Sequence, residues 1–355
     1  MAAPESKAIK ETNRVIIIAC HLTCSPRGSS LDANVSLLFI GTPVRYIGRF
    51  APSPTGPLHF GSLVAATASY LDSRAHEGKW LLRMEDLDTA RCSPAWADDI
   101  LRSLEIFGFE WDGRVLFQSS RYCQQAYQCA LDRLTALELT YPCACSRKKI
   151  TETQPADSES EPVYPGTCRN GLAPHAEPRA WRLRVNDDVL SLTDRACGQI
   201  EQHLPTAVGD FVLKRADGPF AYQLAVVVDD AAQGVTDVVR GADLLTSTPR
   251  QIYLQRLLGL PQPRYLHVPL VLTEQGVKMS KQTGAPGLDM SNPALELWRA
   301  LRFLRTKPPE ELRDGSVREL WKSTISAWRD YTVQSFTASA SEVIGSRVGM
   351  NSWAK

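Results

Sequence analysis

No stretch of this 355-residue chain approaches the roughly 18 consecutive apolar residues of a membrane span, so nothing in it reads as a transmembrane helix. An excess of one charge is equally absent. Lys and Arg number 40 against 39 Asp and Glu, a net charge of +1, which excludes a protein that grips nucleic acid through bulk electrostatics. Any RNA contact must then be local and salt-sensitive. A disulfide framework is lacking too: nine cysteines, an odd number, are scattered over a chain too large to need one, and a reducing cytoplasm is the expected location. Cys92, Cys123, Cys129 and Cys197 read as plain small residues of core or surface. No internal repeat is visible. A secretion signal is imitated by Lys7, Lys10 and Arg14 ahead of "VIIIACHLTC", but the apolar run is brief and His21 interrupts it. What remains, 43% hydrophobic and 22% charged, is an ordinary globular composition, long enough for two or three cores.

Residues 1–44 show no sustained period and are expected to be an appended or disordered leader. From Tyr46 the pattern becomes strand, turn, helix: "YIGRFA" is extended, "PSPTGP" is punctuation, and "HFGSLVAATASYLDSRAHEG" has helical spacing. "KWLLRMEDLD" reads as a second strand. Ser93-Pro94 opens a helix that Gly108 closes, and another runs from about Ser119 to Leu139. This alternation predicts an α/β fold with a doubly wound parallel sheet, its first half at 45–140. Residues 141–207, rich in Pro, Cys, Glu and Ser, break the rhythm and read as an insertion. The sheet is expected to resume over 208–286 in "DFVLKRADG" and in "FAYQLAVVVDD", a β-branched run suited to a strand buried on both faces. Ser247-Thr248-Pro249 is expected to cap the helix "RQIYLQRLLG". Residues 287–355 are expected to form a short helical tail, with Trp321 and Trp328 on one helical face packed against the body of the fold.

Two short segments carry chemistry. In "RFAPSPTGPLHFGSL" the chain leaves a strand and enters a helix at His59, which places the helix N-terminus at the carboxyl end of a sheet strand, where anions bind. His59 either caps that helix or donates to phosphate oxygens, and Gly61 either serves packing or admits a flat base or ribose close to the backbone. "KMSKQTGAP" gathers two lysines in a short loop, either a solvated turn or a clamp on an anionic group.

Taken together, these segments resemble the signatures of class I aminoacyl-tRNA synthetases: His59-Phe60-Gly61-Ser62 is similar to the HIGH motif and Lys278-Met279-Ser280-Lys281-Gln282 to the KMSKS motif. "DFVLKRADGPFAYQLAVVVDD" and "GVTDVVRGADLLTSTPRQIYL" resemble the glutamyl branch, with the likeness close over about 45–286 and fainter to Tyr331. The resemblance implies a Rossmann-type catalytic domain with ATP, carrying Mg²⁺, as a substrate. His59, Gly61, Lys278 and Lys281 would be catalytic, with His59, Gly61 and Lys281 contacting ATP. It also implies a glutamate pocket in which Arg49, followed by Phe50, Ala51, Pro52 and Ser53, meets the substrate's carboxylate as a guanidinium fork and sets specificity. Glu85 would receive the α-ammonium, and Tyr222 and Arg240 would add a hydroxyl and a second cation. Asp229 and Asp230 match the family without an assigned role.

Within the insertion, Cys143-x-Cys145 and the later Cys168 suit a tetrahedral zinc that lacks its fourth ligand. Glutamyl-queuosine synthetases, short relatives of glutamyl-tRNA synthetase, show C-x-C…Y-x₃-C. That likeness implies Tyr164 as the fourth ligand of one structural Zn²⁺, with His175 as its rival. The stretch between Ser146 and Val163, containing "ADSESEP", looks longer than that family's pattern.

Fewer residues follow Gly284 than the roughly 100 to 150 of a typical domain, so no anticodon-binding domain is expected. The resemblance to the glutamyl-Q tRNA(Asp) synthetase family implies a cytoplasmic, monomeric ligase. It would activate L-glutamate with ATP without needing tRNA, and transfer it to queuosine in the anticodon stem-loop of tRNA(Asp). The alternatives are a truncated glutamyl-tRNA synthetase charging a 3′ end and a non-catalytic tRNA-binding paralogue. Intact His59, Lys281, Arg49 and Glu85 speak against the latter.

Overall fold

The computed structural model describes residues 45–152, 162–273, 279 and 286–335. The expected leader, most of "ADSESEP" and both lysines of "KMSKQ" lie outside the described residues. In the first half, β1 (Ile47–Phe50), α1 (Phe60–Ala75), β2 (Lys79–Met84), α2 (Pro94–Ile106), β3 (Leu116–Phe117) and α3 (Arg121–Ala136) alternate, and β1-β2-β3 pair in parallel. Local signals set these boundaries. Ser93 Oγ accepts the Ala95 N–H with Pro94 in the first turn of α2, and Gly108 leaves that helix at φ +67, a conformation in which a Cβ would meet Val317 Cγ1 at 2.8 Å. Strand β2 stops at Met84, short of the expected "EDLD", so Glu85 emerges at its carboxyl end.

The insertion forms β4 (Thr140–Cys143), the short α4 (Arg147–Thr151), β5 (Ala180–Leu183), the hairpin β6 (Val189–Asp194) and β7 (Gly198–His203), and the turn α5 (Leu204–Ala207). Strand β8 (Val212–Lys214), from "DFVLKRADG", pairs antiparallel with β5, which pairs with β4. It therefore extends the insertion's sheet past residue 207 instead of resuming the parallel one.

A second correction concerns "FAYQLAVVVDD". Tyr222–Ala232 is a helix, α6. Its Val226–Val228 run favours strand locally, but Leu224 to Asp230 are all buried, and a helix hydrophobic all round gives no amphipathic period to read. Tertiary burial between α3 and α7 (Thr248–Leu258) overrides the propensity. Ser247 makes no side-chain cap to α7, because the 3₁₀ turn Ala242–Ser247 runs straight into it.

Strands β9 (Asp237–Gly241) and β10 (Arg264–Val268) restore the parallel pattern, and Thr236 N–H donates to Ile47 O at 2.9 Å, setting β9 beside β1. The strands thus lie in the order β3-β2-β1-β9-β10. Tail helices α8 (Pro293–Phe303) and α9 (Val317–Ser335) pack on α1. Trp321 Nε1 donates to Phe107 O at 2.9 Å and Trp328 Nε1 to Asp72 Oδ1 at 3.0 Å, and both rings are buried. Among the described residues no helix is long and apolar enough to cross a membrane.

Candidate active site and metal centre

Parallel strands leave a crevice at their carboxyl ends. Here Arg49 lies near the end of β1, Glu85 follows β2, Arg240 sits near the end of β9 and Val268 ends β10, and all four line one cavity of about 670 Å³. Phe50, Ala51, Pro52, Ser53, His59, Gly61 and Tyr222 also line it, as does Asp243. The structure thereby brings together every described residue expected to contact glutamate or ATP. Lys278 and Lys281 fall outside the described residues, but Met279 between them lines the same cavity and donates its N–H to Val271 O at 2.9 Å. Just past the loop, Gly287 bridges to His59, and Leu288 N–H donates to Leu58 O at 3.2 Å. The two signature segments therefore adjoin.

His59 is the N-cap of α1, with Nδ1 accepting the Ser62 N–H at 3.3 Å. Capping through Nδ1 leaves the ring proton on Nε2, the tautomer that donates a hydrogen bond from the far side of the ring. The two sequence readings of His59 are thus compatible. At Gly61 a Cβ would lie 3.2 Å from the His59 ring and 3.7 Å from Met279 O, so the residue keeps the crevice open between the two segments.

Beneath the cavity lies a charge network that sequence reasoning missed. Asp230 Oδ1 takes Arg49 Nε at 3.2 Å and Arg83 Nη2 at 2.8 Å, and Arg83 Nη2 also reaches Glu85 Oε1 at 3.4 Å. Asp229 accepts from Gln118 Nε2 at 2.8 Å and Tyr127 OH at 2.7 Å. Burial opposes the charge on Asp230, but Arg49 and Arg83 hold its carboxyl below the usual range, whereas burial pushes Glu85 upward against the pull of the same cations. The Asp229-Asp230 pair was visible in sequence, but misreading α6 as a strand hid that its helix aims them under the pocket.

Arg240 differs from Arg49. It is buried, and its four hydrogen-bond partners are neutral: Tyr222 OH at 3.4 Å, Thr248 Oγ1 and Gln251 Oε1 at 2.8 Å each, and His267 Nε2 at 3.1 Å. No carboxylate among the described residues pairs with it. A buried cation with no ion-pair partner among the described residues, opening on a cavity, suits an anionic ligand.

In the insertion, the sulfurs of Cys143, Cys145 and Cys168 lie within 4.8 Å of one another. Cys145 and Cys168 are 3.6 Å apart, and Tyr164 OH stands 3.4 Å from Cys143 Sγ and 3.8 Å from Cys145 Sγ. A tetrahedron built on zinc–sulfur bonds of about 2.3 Å and a zinc–oxygen bond of about 2.0 Å has edges of about 3.8 and 3.5 Å, so this donor set fits zinc. Arg182 adds compensating charge, with Nε 3.2 Å from Cys143 Sγ and its guanidinium 3.8 Å over the Tyr164 ring. His175 is exposed and is not part of this cluster.

Comparison with known proteins gives a consistent picture. The family model for the catalytic domain of class I tRNA synthetases (E and Q) matches residues 46–292. A protein of Dechloromonas aromatica (strain RCB) named glutamyl-Q tRNA(Asp) synthetase is 57% identical over 284 residues, covering 80% of this chain and 94% of its own length. Its namesake in Geobacter sulfurreducens (strain ATCC 51573 / DSM 12127 / PCA) is 57% identical over 277 residues, covering 76% and 88%. In fold, the chain is similar to the crystal structure of a glutamate-tRNA synthetase from Elizabethkingia anophelis, with a TM-score of 0.64 and 22% identity over 78% of this chain and 65% of that one.

Proposed function

This chain belongs to the class I tRNA synthetases of the glutamate and glutamine branch, and on that footing we propose that it activates L-glutamate with ATP and transfers it to queuosine of tRNA(Asp). It is a ligase of the aminoacyl-tRNA synthetase type. The observation that carries the reading is the convergence of Arg240, Glu85, Tyr222 and His59 on one cavity, which supplies a cation for a side-chain carboxylate and an anion for an α-ammonium.

In the first step an oxygen of the α-carboxylate attacks the α-phosphorus of ATP, and pyrophosphate leaves as glutamyl-adenylate forms. The carboxylate is already a nucleophile, so no base is needed and catalysis rests on positioning and charge stabilisation. Glu85 would hold the α-ammonium and Arg240 the side-chain carboxylate. The α1 N-terminus and His59 Nε2–H would face the phosphates, joined by Lys278 and Lys281, with Mg²⁺ brought by ATP. In the second step a hydroxyl of queuosine attacks the adenylate carbonyl and releases its proton to solvent, an ester forms and AMP departs. We assign activation to the protein without tRNA, because each group named for the first step belongs to this chain or to ATP. The acceptor is the anticodon stem-loop, and Cys143, Cys145, Cys168 and Tyr164 would hold a structural zinc.

Transfer of labelled glutamate to purified tRNA(Asp) with and without queuosine tests the proposal. Labelling only of the queuosine-bearing tRNA is expected. Labelling of queuosine-free tRNA, or of tRNA(Glu), would overturn it in favour of 3′-end charging.

A further inference from the structure

The insertion reaches the amino-acid pocket through the end of its hairpin. Strand β6 runs beside β10, where Arg195 N–H donates to Tyr265 O at 2.9 Å and His267 N–H to Asp194 Oδ1 at 3.3 Å. Asp194 Oδ2 is also 2.6 Å from His267 Nδ1, and both side chains are wholly buried. On its other side, His267 Nε2 lies 3.1 Å from Arg240 Nε.

Hydrogen-bond logic fixes the protons along this chain. A guanidinium only donates, so Nε2 must be the acceptor, and the ring proton then sits on Nδ1 and goes to Asp194. A doubly protonated ring would set two donors face to face at Arg240. Burial lowers the His267 pKa despite Asp194, in keeping with the neutral ring. Thr248 and Gln251 hold Nη2 and Tyr222 OH lies 3.4 Å from Nη1, so the shorter Nε bond to His267 is the third contact that orients the guanidinium plane.

We propose that Asp194 and His267 are positioning residues for substrate selection: Asp194, from the insertion, fixes the His267 tautomer, and His267 aims Arg240 at the substrate's side-chain carboxylate. This deepens, and rests on, the reading of the cavity as a glutamate site. Asp194 Oδ1 also accepts the N–H groups of Ala196 and Cys197 at 2.9 Å each, so in Asp194→Asn the amide oxygen stays with them and the NH₂ turns toward His267. The ring must then accept at Nδ1 and carry its proton on Nε2, which can go to Thr248 Oγ1 at 3.1 Å but no longer accepts from Arg240 Nε.

The test is glutamate-dependent ATP–pyrophosphate exchange, with active sites titrated, in native protein and in His267→Leu, His267→Gln and Asp194→Asn. His267→Leu is expected to raise KM for glutamate about tenfold or more, the scale of one hydrogen bond to a charged group, and to lower the preference for glutamate over glutamine. KM for ATP should not move. Asp194→Asn should behave likewise, while His267→Gln, whose amide oxygen can replace Nε2 as acceptor, should stay near native. If His267→Leu does not fold, the contrast between His267→Gln and Asp194→Asn decides, and equal behaviour of the two overturns the proposal. So would native glutamate selection in His267→Leu, or a KM for ATP that rises in step with that for glutamate. Absence of glutamate-dependent exchange in the native protein, with tRNA(Asp) present as well as without it, would instead overturn the glutamate reading itself.

Discussion

Arg49 Nε and Asp230 Oδ1 form an ion pair at 3.2 Å between side chains that are 4% and 7% exposed. Arg49 therefore faces the cavity with a counter-charge already beside it, one that Asp230 shares with Arg83. Removing one partner of a buried pair leaves an uncompensated charge, at a cost of about 3 to 5 kcal/mol. Asp230→Ala should lose about that much stability in urea unfolding at neutral pH, more than Arg49→Ala, because it takes the ion pair from Arg49 and leaves Arg83 only Glu85 and Asp229, whereas Arg49→Ala leaves one anion that Arg83 still serves. Equal losses would show that the two arginines do not share this carboxylate.

Specificity should follow the buried cation that has no ion-pair partner among the described residues. From sequence, discrimination was expected at Arg49; we propose that Arg240 carries it instead, since its hydrogen-bond partners among the described residues are all neutral. A site built for a carboxylate rejects a neutral isostere because the buried cation is left unpaired. Arg240→Leu should reduce the glutamate-to-glutamine preference in pyrophosphate exchange by about 10²-fold or more, and Arg49→Leu by less. The opposite order would return the role to Arg49.

Burial raises the Glu85 pKa, against the pull of Arg83 and Arg49. If its anion receives the α-ammonium, protonation removes the binding charge, so kcat/KM for glutamate must fall as pH drops through that raised value. The acid limb should therefore appear above the ordinary glutamate pKa of about 4.3, and Glu85→Gln should flatten the limb while lowering kcat/KM at neutral pH. A limb at or below the ordinary value in the native protein would remove Glu85 from this role.

One zinc per chain is expected by elemental analysis of protein purified without chelators. Replacing Cys143 and Cys145 with Ser should abolish it and loosen the segment around the cysteines locally, because Tyr141, Cys143, Tyr164 and Cys168 form a small cluster of their own beside the two larger cores. Tyr164→Phe should weaken retention, since the OH lies 3.4 and 3.8 Å from two of the sulfurs. Metal-free native protein would contradict the assignment.

What could be read from sequence was what neighbouring residues decide. The start of α2 is written in Ser93-Pro94 and its end in Gly108, because capping and positive φ are satisfied within a turn. The two cysteines of β4 and its following turn were legible from spacing alone. Tyr222–Ala232 was not, since three consecutive valines look the same in a buried helix and a buried strand until α3 and α7 enclose them. Strand β8 likewise chose its sheet through pairing with β5, on the far side of the insertion. The Asp194–His267 contact spans 73 positions and joins an insertion hairpin to the parallel sheet, a pairing that no local pattern encodes.

The most direct test of the central claim is to find where the glutamate goes. After reaction of the native protein with ATP, labelled glutamate and fully modified tRNA(Asp), nuclease digestion and mass spectrometry of the nucleosides should place the label on queuosine of the anticodon, with none on the 3′-terminal adenosine. Label on that adenosine, with queuosine unchanged, would contradict the account.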